Sequence, residues 1–360
     1  MHAVLLAVVF AASAQAVSDV KTDEEVVFFP TYAHVDKDQQ HWNIPIHGWV
    51  YEPELDSISR GVLLALLRRK LGVPEGETAS TIFKSRARMF LVDNERGKRM
   101  VVRFGAAQLP LDKSAPNGHF RTVVRAAHGP FRTLLQGQEV EDGWCRFQAV
   151  LRPDDPRVFE GSVQLIAPTG VSVISDIDDT IKISEVRDHK ALVRRTFVEA
   201  FEAVPEMAAL YRAWAQGGVR FHYVSASPWQ LYPALREFID AEGFPLGSFH
   251  LRDLRWKDAT LVEFLGSSEK YKLETIERIL GDFPQRRFVL VGDSGEKDPE
   301  VYGTVARKHP TQVARVFIRN VTDEAADAER FTEAFRDVPP EKWRLFRRTW
   351  ELTGALPPVK

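Results

Sequence analysis

The order of apolar and polar residues divides the chain into two parts with different predicted secondary structure. Between residues 25 and 166, short segments alternate apolar and polar side chains, as in strands with one face exposed. These segments are Ile44–Val50, Arg86–Val92, Met100–Phe104, Phe120–Arg125 and Trp144–Leu151. One stretch differs, because Ile58, Val62, Leu63, Leu66 and Leu67 recur at helical spacing. We therefore predict a β-rich, β-sandwich-like domain over residues 25–166, carrying one helical insert.

After Pro168 the pattern changes to apolar runs that alternate with amphipathic helical stretches. The predicted strands are Val171–Ile177, Val219–Val224, Phe288–Val291 and Val313–Ile318. The predicted helices include Val204–Trp214, Leu231–Ala241, Tyr271–Leu280 and Pro299–Arg307. Strands that are apolar throughout, joined by helices, indicate a parallel α/β sheet covered on both faces. We assign this larger domain to residues 167–360 and expect its ligand at the carboxyl ends of the strands.

The first 16 residues have the composition of a targeting segment. An apolar run over Ala3–Ala12 precedes Ala14 and Ala16, which fit the small-x-small cleavage pattern of a secretory signal peptide. The run is too short to span a bilayer, and no other stretch is long and apolar enough. We therefore predict an exported protein, periplasmic or secreted, without a transmembrane span in its mature chain.

Composition excludes several classes of site. The 360-residue chain has a formal net charge of -2, which gives no overall field for attracting nucleic acid. Cys145 is the one cysteine, so an internal disulfide and a cysteine-based metal cluster are both impossible. An anion-binding site must therefore be local.

Three carboxylates follow the first predicted strand of the larger domain, at Asp176, Asp178 and Asp179. Asp176 and Asp178 are two residues apart, so an extended backbone points both to one side. Their repulsion is relieved by a hard cation such as Mg²⁺. A calcium loop is excluded, because Ile181 and Arg187 replace the Gly and Glu that it requires. The alternative is an acidic turn that caps a helix.

Later strand ends carry further candidate residues. Ser225 follows the second strand, and Lys272 lies near the start of a helix, with Lys270 as a competitor. Asp293 and Asp298 follow the third strand in a turn that contains two glycines. Taken singly, these features also fit an ordinary Ser-Pro turn, a solvated lysine and a helix-capping turn. Their common position after strands, in the order acid pair, hydroxyl, lysine, acid pair, favours one active site.

This order resembles the haloacid dehalogenase superfamily of phosphohydrolases through all four of its motifs. Asp176-x-Asp178-x-Thr180 and Gly292-Asp293-x-x-x-x-Asp298 match specifically. More narrowly, the chain is similar to the catalytic domain of the actin-patch-type phosphatidate phosphatases over Ser175–Ile183, Ser225–Trp229 and Gly292–Tyr302. The segment from Phe28 to Tyr51 is similar to the region that precedes this domain in bacterial relatives. The resemblance implies a doubly wound, Rossmann-like sheet.

The resemblance also implies roles for individual residues. Asp176 is the expected nucleophile, Asp178 the acid and base, and Lys272 a catalytic group. Mg²⁺ is expected at Asp176, Asp293 and the main-chain carbonyl of Asp178, with Asp298 orienting a metal-bound water or Lys272. Thr180, Ser225 and Lys272 are the expected substrate-binding residues, and Thr180 also supports the turn.

The implied reaction converts phosphatidate to diacylglycerol, and two alternatives remain open. One is a broad exported phosphomonoesterase that acts on soluble phosphoesters or phosphoproteins, and the other is a non-catalytic secreted binding protein. The short segment between Thr180 and Ser225 indicates an open site without a large cap, which suits bulky or membrane-bound substrates.

Two basic segments are candidates for contact with lipid. On a helix, Trp343, Phe346 and Trp350 share one face among four cations, as at membrane interfaces, although the aromatics also suit packing on the sheet. A second set lines the substrate entrance or forms an ordinary surface cluster: Arg252, Arg255, Trp256 and Lys257. We therefore expect a phospholipid or other phosphomonoester substrate, with peripheral membrane contact and ordinary surface packing as the two alternatives for these segments.

Overall fold

A computed structural model describes residues 3–5, 16–53, 58–73, 76, 81–127, 140, 142–254 and 269–357. Most of the predicted signal peptide lies outside these residues, as do Arg255, Trp256 and Lys257. Contacts divide the chain into two compact units. Unit 1 comprises Met1–Ser57 and Val92–Pro168, and unit 2 comprises Ile58–Leu91 and Thr169–Lys360.

Unit 1 is built on a ten-stranded sheet. Its strands are β1 Ala3–Leu5, β2 Glu25–Phe29, β3 Thr31–Val35, β4 His41–Glu52, β5 Asp93–Asn94, β6 Val101–Phe104, β7 Ala107–Pro110, β8 His119–Ala127, β9 Trp144–Ala149 and β10 Glu160–Leu165. The long strand β4 pairs antiparallel with β2, β3, β5 and β8. Alternate residues of these strands point inward, and the rings of Phe120 and Phe147 pack edge-on against Phe28. The predicted N-terminal sheet is confirmed.

The helical segment differs from its prediction in two ways. It contains two helices, α1 Ile58–Leu71 and α2 Thr81–Arg88, so the predicted strand Arg86–Val92 is wrong. Phe83, Arg86 and Ala87 are buried on one face of α2. This helical spacing begins at Phe83, before the alternation of apolar and polar residues that predicted a strand. The segment also groups with unit 2 and not with the β-rich unit. One reason is that the Arg86 guanidinium donates to the carbonyl oxygens of Thr196 and Glu199.

Unit 2 contains a sheet of six strands, and every strand pair in it is parallel. The strands are β11 Val171–Ser175, β12 Arg220–Pro228, β13 Ser248–Arg252, β14 Arg287–Asp293, β15 Val313–Arg319 and β16 Trp343–Phe346. Their order across the sheet is β13-β12-β11-β14-β15-β16. The predicted parallel sheet is confirmed, and its assignment as a doubly wound sheet remains a prediction. Strands β11 and β14 are central, so their carboxyl ends lie side by side.

Besides α1 and α2, unit 2 contains helices that follow its strands along the chain. They are α3 His189–Phe197, α4 Met207–Gln216, α5 Tyr232–Ala241, α6 Glu269–Asp282, α7 Asp298–Lys308 and α8 Glu329–Ala334. The predicted helices correspond to α4, α5, α6 and α7. Among all helices that the structure describes in either unit, none combines the length and apolarity needed to cross a bilayer.

The segment from Trp343 to Trp350 is not the predicted amphipathic helix. Residues 343–346 form β16, which pairs with β15, and a short 3₁₀ turn follows over Thr349–Leu352. The ring of Trp343 stacks on Phe335 at 4.4 Å, and Phe346 is buried. The strand therefore directs these two aromatics toward the protein, whereas Trp350 remains 65% exposed.

Candidate active site

The residues predicted for the site come together at the carboxyl edge of the parallel sheet. Asp176 directly follows β11, Asp293 ends β14, and Asp298 begins α7. Ser175 pairs in register with Val291, so the ends of β11 and β14 lie next to each other. This edge is where α/β sheets bind ligands.

Three carboxylates form a buried group at this edge. One oxygen from each of Asp176, Asp293 and Asp298 lies within 4.8 Å of the others, and each residue is at most 1% exposed. The Oδ1 atom of Asp293 accepts the N–H groups of Gly295 and Glu296, whereas its buried Oδ2 has no hydrogen-bond partner among the described residues. Hard divalent cations prefer carboxylate oxygens, so this donor set fits such an ion.

Glycine at position 292 allows this group to close. A Cβ there would lie 2.2 Å from Asp298 Oδ2 and 2.7 Å from the Tyr302 ring. The main-chain N–H of Asp293 donates to the same Asp298 oxygen at 3.2 Å. Any side chain at Gly292 would therefore push the start of α7 away from β14.

Lys272 is the lysine that reaches the carboxylates. Its Nζ lies 3.0 Å from Asp176 Oδ1, 2.6 Å from Asp298 Oδ1 and 2.9 Å from Glu296 Oε2. The side chain of Lys272 is 1% exposed, whereas that of Lys270 is 89% exposed and contacts Glu274. Burial lowers the pKa of Lys272, but the surrounding carboxylates outweigh burial and raise it well above its usual value. Lys272 is therefore a fixed ammonium group.

The carboxylates themselves are not fully compensated. Burial is the main cause that raises the pKa of Asp176 well above its usual value; Lys272 opposes this effect, and Asp298 adds to it. The pKa of Asp293 is also raised, first by burial and then by Asp298 and Glu296. One ammonium group cannot balance these carboxylates, so the cluster favours an added cation.

Asp178 lies apart from this group and has different partners. Lys182 Nζ is 2.7 Å from Asp178 Oδ1, and the Ser184 hydroxyl donates to the same oxygen at 2.7 Å. Ser225 and Ser227 donate to Oδ2 at 3.3 and 3.1 Å. Burial raises the pKa of Asp178, but these partners outweigh it and hold the pKa below its usual value. The Asp178 carboxylate is thus held by Lys182 and three hydroxyl groups, whereas Asp176, Asp293 and Asp298 form the carboxylate group. The expected metal ligand at Asp178 is its main-chain carbonyl, and that role remains a prediction.

The turn that carries both aspartates is held by Asp179 and Thr180. Asp179 has a positive φ of 51°, and its carboxylate accepts the N–H groups of Ser184, Glu185 and Val186. Thr180 is fully buried, and its hydroxyl donates to Asp176 Oδ2 at 3.4 Å. Thr180 thus supports the expected nucleophile, and its substrate contact remains a prediction.

Sequence reasoning missed several residues that shape the site. Lys182 follows Asp178 by four residues, and Ser227 follows Ser225 by two. Neither spacing indicated that Lys182 and Ser227 both contact the Asp178 carboxylate. Glu296 lies inside the predicted Asp293–Asp298 turn and contacts Lys272. Arg319, at the end of β15, donates to the main-chain oxygen of Asp179 at 2.7 Å.

Known proteins have sequences similar to the half of the chain that carries this site. Residues 171–320 match the model of the family described as "Phosphatidate phosphatase APP1, catalytic domain". Over 194 residues the chain is 34% identical to phosphatidate phosphatase APP1 of Saccharomyces cerevisiae, covering 53% of this chain and 32% of that protein. It is 31% identical over 169 residues to an uncharacterized protein of Schizosaccharomyces pombe, covering 46% of this chain and 27% of that protein.

The chain thus spans about a third of the length of the curated relatives it matches. Among solved structures, a β-glucuronidase of Parabacteroides merdae aligns with 82% of this chain and 34% of its own, at 11% identity and a TM-score of 0.28. A likeness this weak carries no argument about fold or function. The family match and the identity to the yeast protein agree, and residues 171–320 belong to the family of the phosphatidate phosphatase APP1 catalytic domain.

Proposed function

We propose that this chain is a Mg²⁺-dependent phosphatase that hydrolyses phosphate monoesters through an aspartyl-phosphate on Asp176, with phosphatidate as its substrate. The observation that carries the proposal is the buried group of Asp176, Asp293 and Asp298, with Lys272 3.0 Å from Asp176. This group combines a carboxylate nucleophile, a cation site and an ammonium group at one sheet edge.

Asp176, Asp293 and Asp298 would hold the cation, because their oxygens are close together and Asp293 Oδ2 is buried without a described hydrogen-bond partner. When bound, Mg²⁺ supplies a Lewis acid for the phosphoryl oxygens and offsets the repulsion between the carboxylates. Lys272 adds a fixed positive charge for the transferring phosphoryl group.

In the first step, a carboxylate oxygen of Asp176 attacks phosphorus in line. The new bond joins the Asp176 oxygen to phosphorus, and the bond from phosphorus to the alcohol oxygen breaks. Contacts from Lys272 and Thr180 hold the carboxylate in a single orientation. This orientation lowers the entropy that must be lost before attack.

Asp178 would supply the proton to the leaving alcohol and then take one from the water that hydrolyses the aspartyl-phosphate. Its hydrogen bonds from Ser225 and Ser227 aim the carboxylate. Its lowered pKa favours the carboxylate in the resting protein, which is the form the second step needs. The negative charge of a bound phosphate monoester would raise the pKa of Asp178 and favour the acid form for the first step.

The experiment is an assay of phosphate release by purified mature protein with Mg²⁺, and then with Mg²⁺ removed by a chelator. We expect release from phosphatidate in mixed micelles that chelation abolishes and Mg²⁺ restores. Equal turnover of water-soluble phosphate esters would favour the broad phosphomonoesterase instead. Absence of release from every ester would leave the non-catalytic binding protein and refute the proposal.

Export is a second part of the proposal and has its own measurement. We expect the mature protein outside the cytoplasm, with an N-terminus produced by cleavage after Ala16. Cell fractionation and N-terminal sequencing measure both. An uncleaved protein in the cytosolic fraction would contradict it.

A further inference from the structure

Strand β16 and the turn that follows it present one aromatic and three cationic side chains to solvent. Arg344, Arg347, Arg348 and Trp350 are all exposed, and we call this set the arginine–tryptophan turn. Trp350 is 65% exposed, and the other large exposed apolar side chains of the described residues are aliphatic. An exposed indole beside several guanidinium groups is an arrangement typical of membrane interfaces.

The conformation of this turn is fixed by contacts on its inner side. The carboxylate of Glu351 accepts the main-chain N–H groups of Arg347 and Arg348, at 3.0 and 2.7 Å. Arg344 donates to the main-chain oxygen of Glu351 at 3.0 Å. Leu352 is fully buried, so the turn is anchored while its cations and indole point outward.

The turn lies at the same edge of the sheet as the candidate active site. It follows the carboxyl end of β16, and the N–H of Asn320 donates to the oxygen of Phe346 at 2.8 Å. The next residue, Val321, donates its N–H to the hydroxyl of Ser294, which follows Asp293. On the other side, the Thr349 hydroxyl donates to the oxygen of Pro205 at 2.6 Å. A flat surface that met the turn would therefore meet the edge where Asp176 lies.

The acidic residues around the turn do not neutralise it. Glu351 carries one negative charge, and its carboxylate accepts two main-chain N–H groups, so it offsets at most one of the three arginines. Asp323 contacts Arg347 at 3.4 Å, but the two side chains are 82% and 59% exposed, so water and salt screen the pair. Arg347 can exchange this carboxylate for a lipid phosphate at little cost.

We propose that the arginine–tryptophan turn binds the surface of an anionic phospholipid bilayer, with the arginines on headgroup phosphates and Trp350 at headgroup depth. The inference rests on the proposed function for its purpose, because it would bring the active-site edge to a lipid substrate. The expected partner is the bilayer surface itself and not a single phosphate ion, because the cations and the indole are spread over one outward face.

The experiment measures cosedimentation of the full protein with phosphatidylcholine vesicles, with and without phosphatidylserine. Arg347→Gln/Arg348→Gln and Trp350→Ala are compared with wild type. The matched control is Lys308→Gln/Arg336→Gln. It also removes two exposed positive charges, since the two side chains are 60% and 68% exposed and each lies beside one glutamate. Both residues lie near the C-terminal end of α7, whereas Asp298 of the active site lies at its N-terminal end. Turnover of a water-soluble phosphate ester is measured for every variant.

We expect wild type and the control to bind the anionic vesicles and to bind neutral vesicles weakly. The loss of each arginine should lower the partition coefficient about fivefold, so the double variant should fall about 25-fold. Soluble-ester turnover should be unchanged in all variants, whereas hydrolysis of phosphatidate in vesicles should fall with binding.

Three results would overturn the inference. The first is wild type that binds anionic vesicles no better than neutral ones, and the second is a control that loses as much vesicle binding as the arginine variant. The third is a variant that changes its oligomeric state without a change in vesicle binding. The proposed function fails separately. If the variants lose vesicle binding as expected but wild type hydrolyses no ester, the lipid-binding role of the arginine–tryptophan turn is supported and the proposed phosphatase activity is refuted.

Discussion

Buried charges occur in both units, and their arrangement differs. In unit 1, Lys98 lies 2.5 Å from the buried Glu24, and the N–H of Lys21 donates to the other Glu24 oxygen at 2.9 Å. In unit 2, Lys272 pairs with the carboxylates of Asp176, Glu296 and Asp298. Asp293 adds a fourth carboxylate beside Asp176 and Asp298. The first arrangement is close to balanced, and the second is acidic.

The difference separates a structural ion pair from a binding site. Balanced buried charges are costly to break, because loss of one partner leaves the other uncompensated. An unbalanced cluster lowers the stability of the protein by itself and persists where a ligand supplies the missing charge. Mutations of the two clusters should therefore affect different measurements.

The largest expected effect is on turnover in Asp176→Asn. An amide cannot act as the nucleophile, so phosphate release should fall by about 10⁴-fold or more. Thermal stability should not fall, because burial already disfavours the charged carboxylate. The control is Asp240→Asn, which removes a 56% exposed carboxylate beside Arg236. Turnover of Asp176→Asn within tenfold of wild type would exclude this nucleophile.

Lys272→Met should lower both turnover and stability. Loss of the ammonium group removes stabilisation of the transferring phosphoryl group, worth about 10²- to 10³-fold in turnover. It also leaves buried carboxylates uncompensated, which should lower the free energy of unfolding by about 3 kcal/mol. Steady-state kinetics and chemical denaturation measure the two effects. Lys270→Met is the control, and an equal loss of turnover there would show that Lys272 has no special role.

Glu24→Gln should lower stability and leave turnover unchanged. The free energy of unfolding at neutral pH should fall by about 2–3 kcal/mol, because Lys98 loses its closest carboxylate. Burial raises the pKa of Glu24, but Lys98 and Lys21 outweigh it and lower the pKa below its usual value. Glu24 therefore stabilises the fold above its unfolded pKa of about 4.3 and loses this contribution in more acidic solution.

Urea denaturation of Glu24→Gln and wild type over a pH series measures this contribution. The difference between them should shrink as the pH falls below about 4.3. A difference that grows with acidity would contradict the pairing.

Glu296→Gln should have the smallest effect, and unlike the other variants it should improve the binding of substrate. Glu296 contacts Lys272 at 2.9 Å, where it competes with phosphoryl oxygens for the ammonium group. Removal of its charge should lower KM about three- to tenfold, with a smaller change in kcat. The control Glu274→Gln alters a 66% exposed carboxylate beside Lys270. A higher KM would show that Glu296 instead positions Lys272.

Sequence reasoning worked best where a residue follows a strand. Asp176, Asp293 and Asp298 were predicted to meet because parallel strands end at one edge, and the structure brings them together. Lys182 and Glu296 escaped prediction, because their contacts depend on how a loop folds back and not on strand order.

The missed elements have similar causes. Strand β16 is short, and its pairing with β15 overrides the helical spacing of Trp343 and Phe346. The segment Arg86–Val92 alternates over a few residues, but Phe83 extends the helical face in the N-terminal direction. Local patterns of this length fit either period, and tertiary packing decides between them.

The left-handed conformation of Asp179 has a consequence for how quickly the protein can act. Three main-chain N–H groups converge on its carboxylate, and Arg319 secures its carbonyl oxygen, so the loop beside Asp176 is already ordered. Arrival of a phosphate ester then requires little loop closure, and encounter with substrate can lead to attack without a slow rearrangement of this loop.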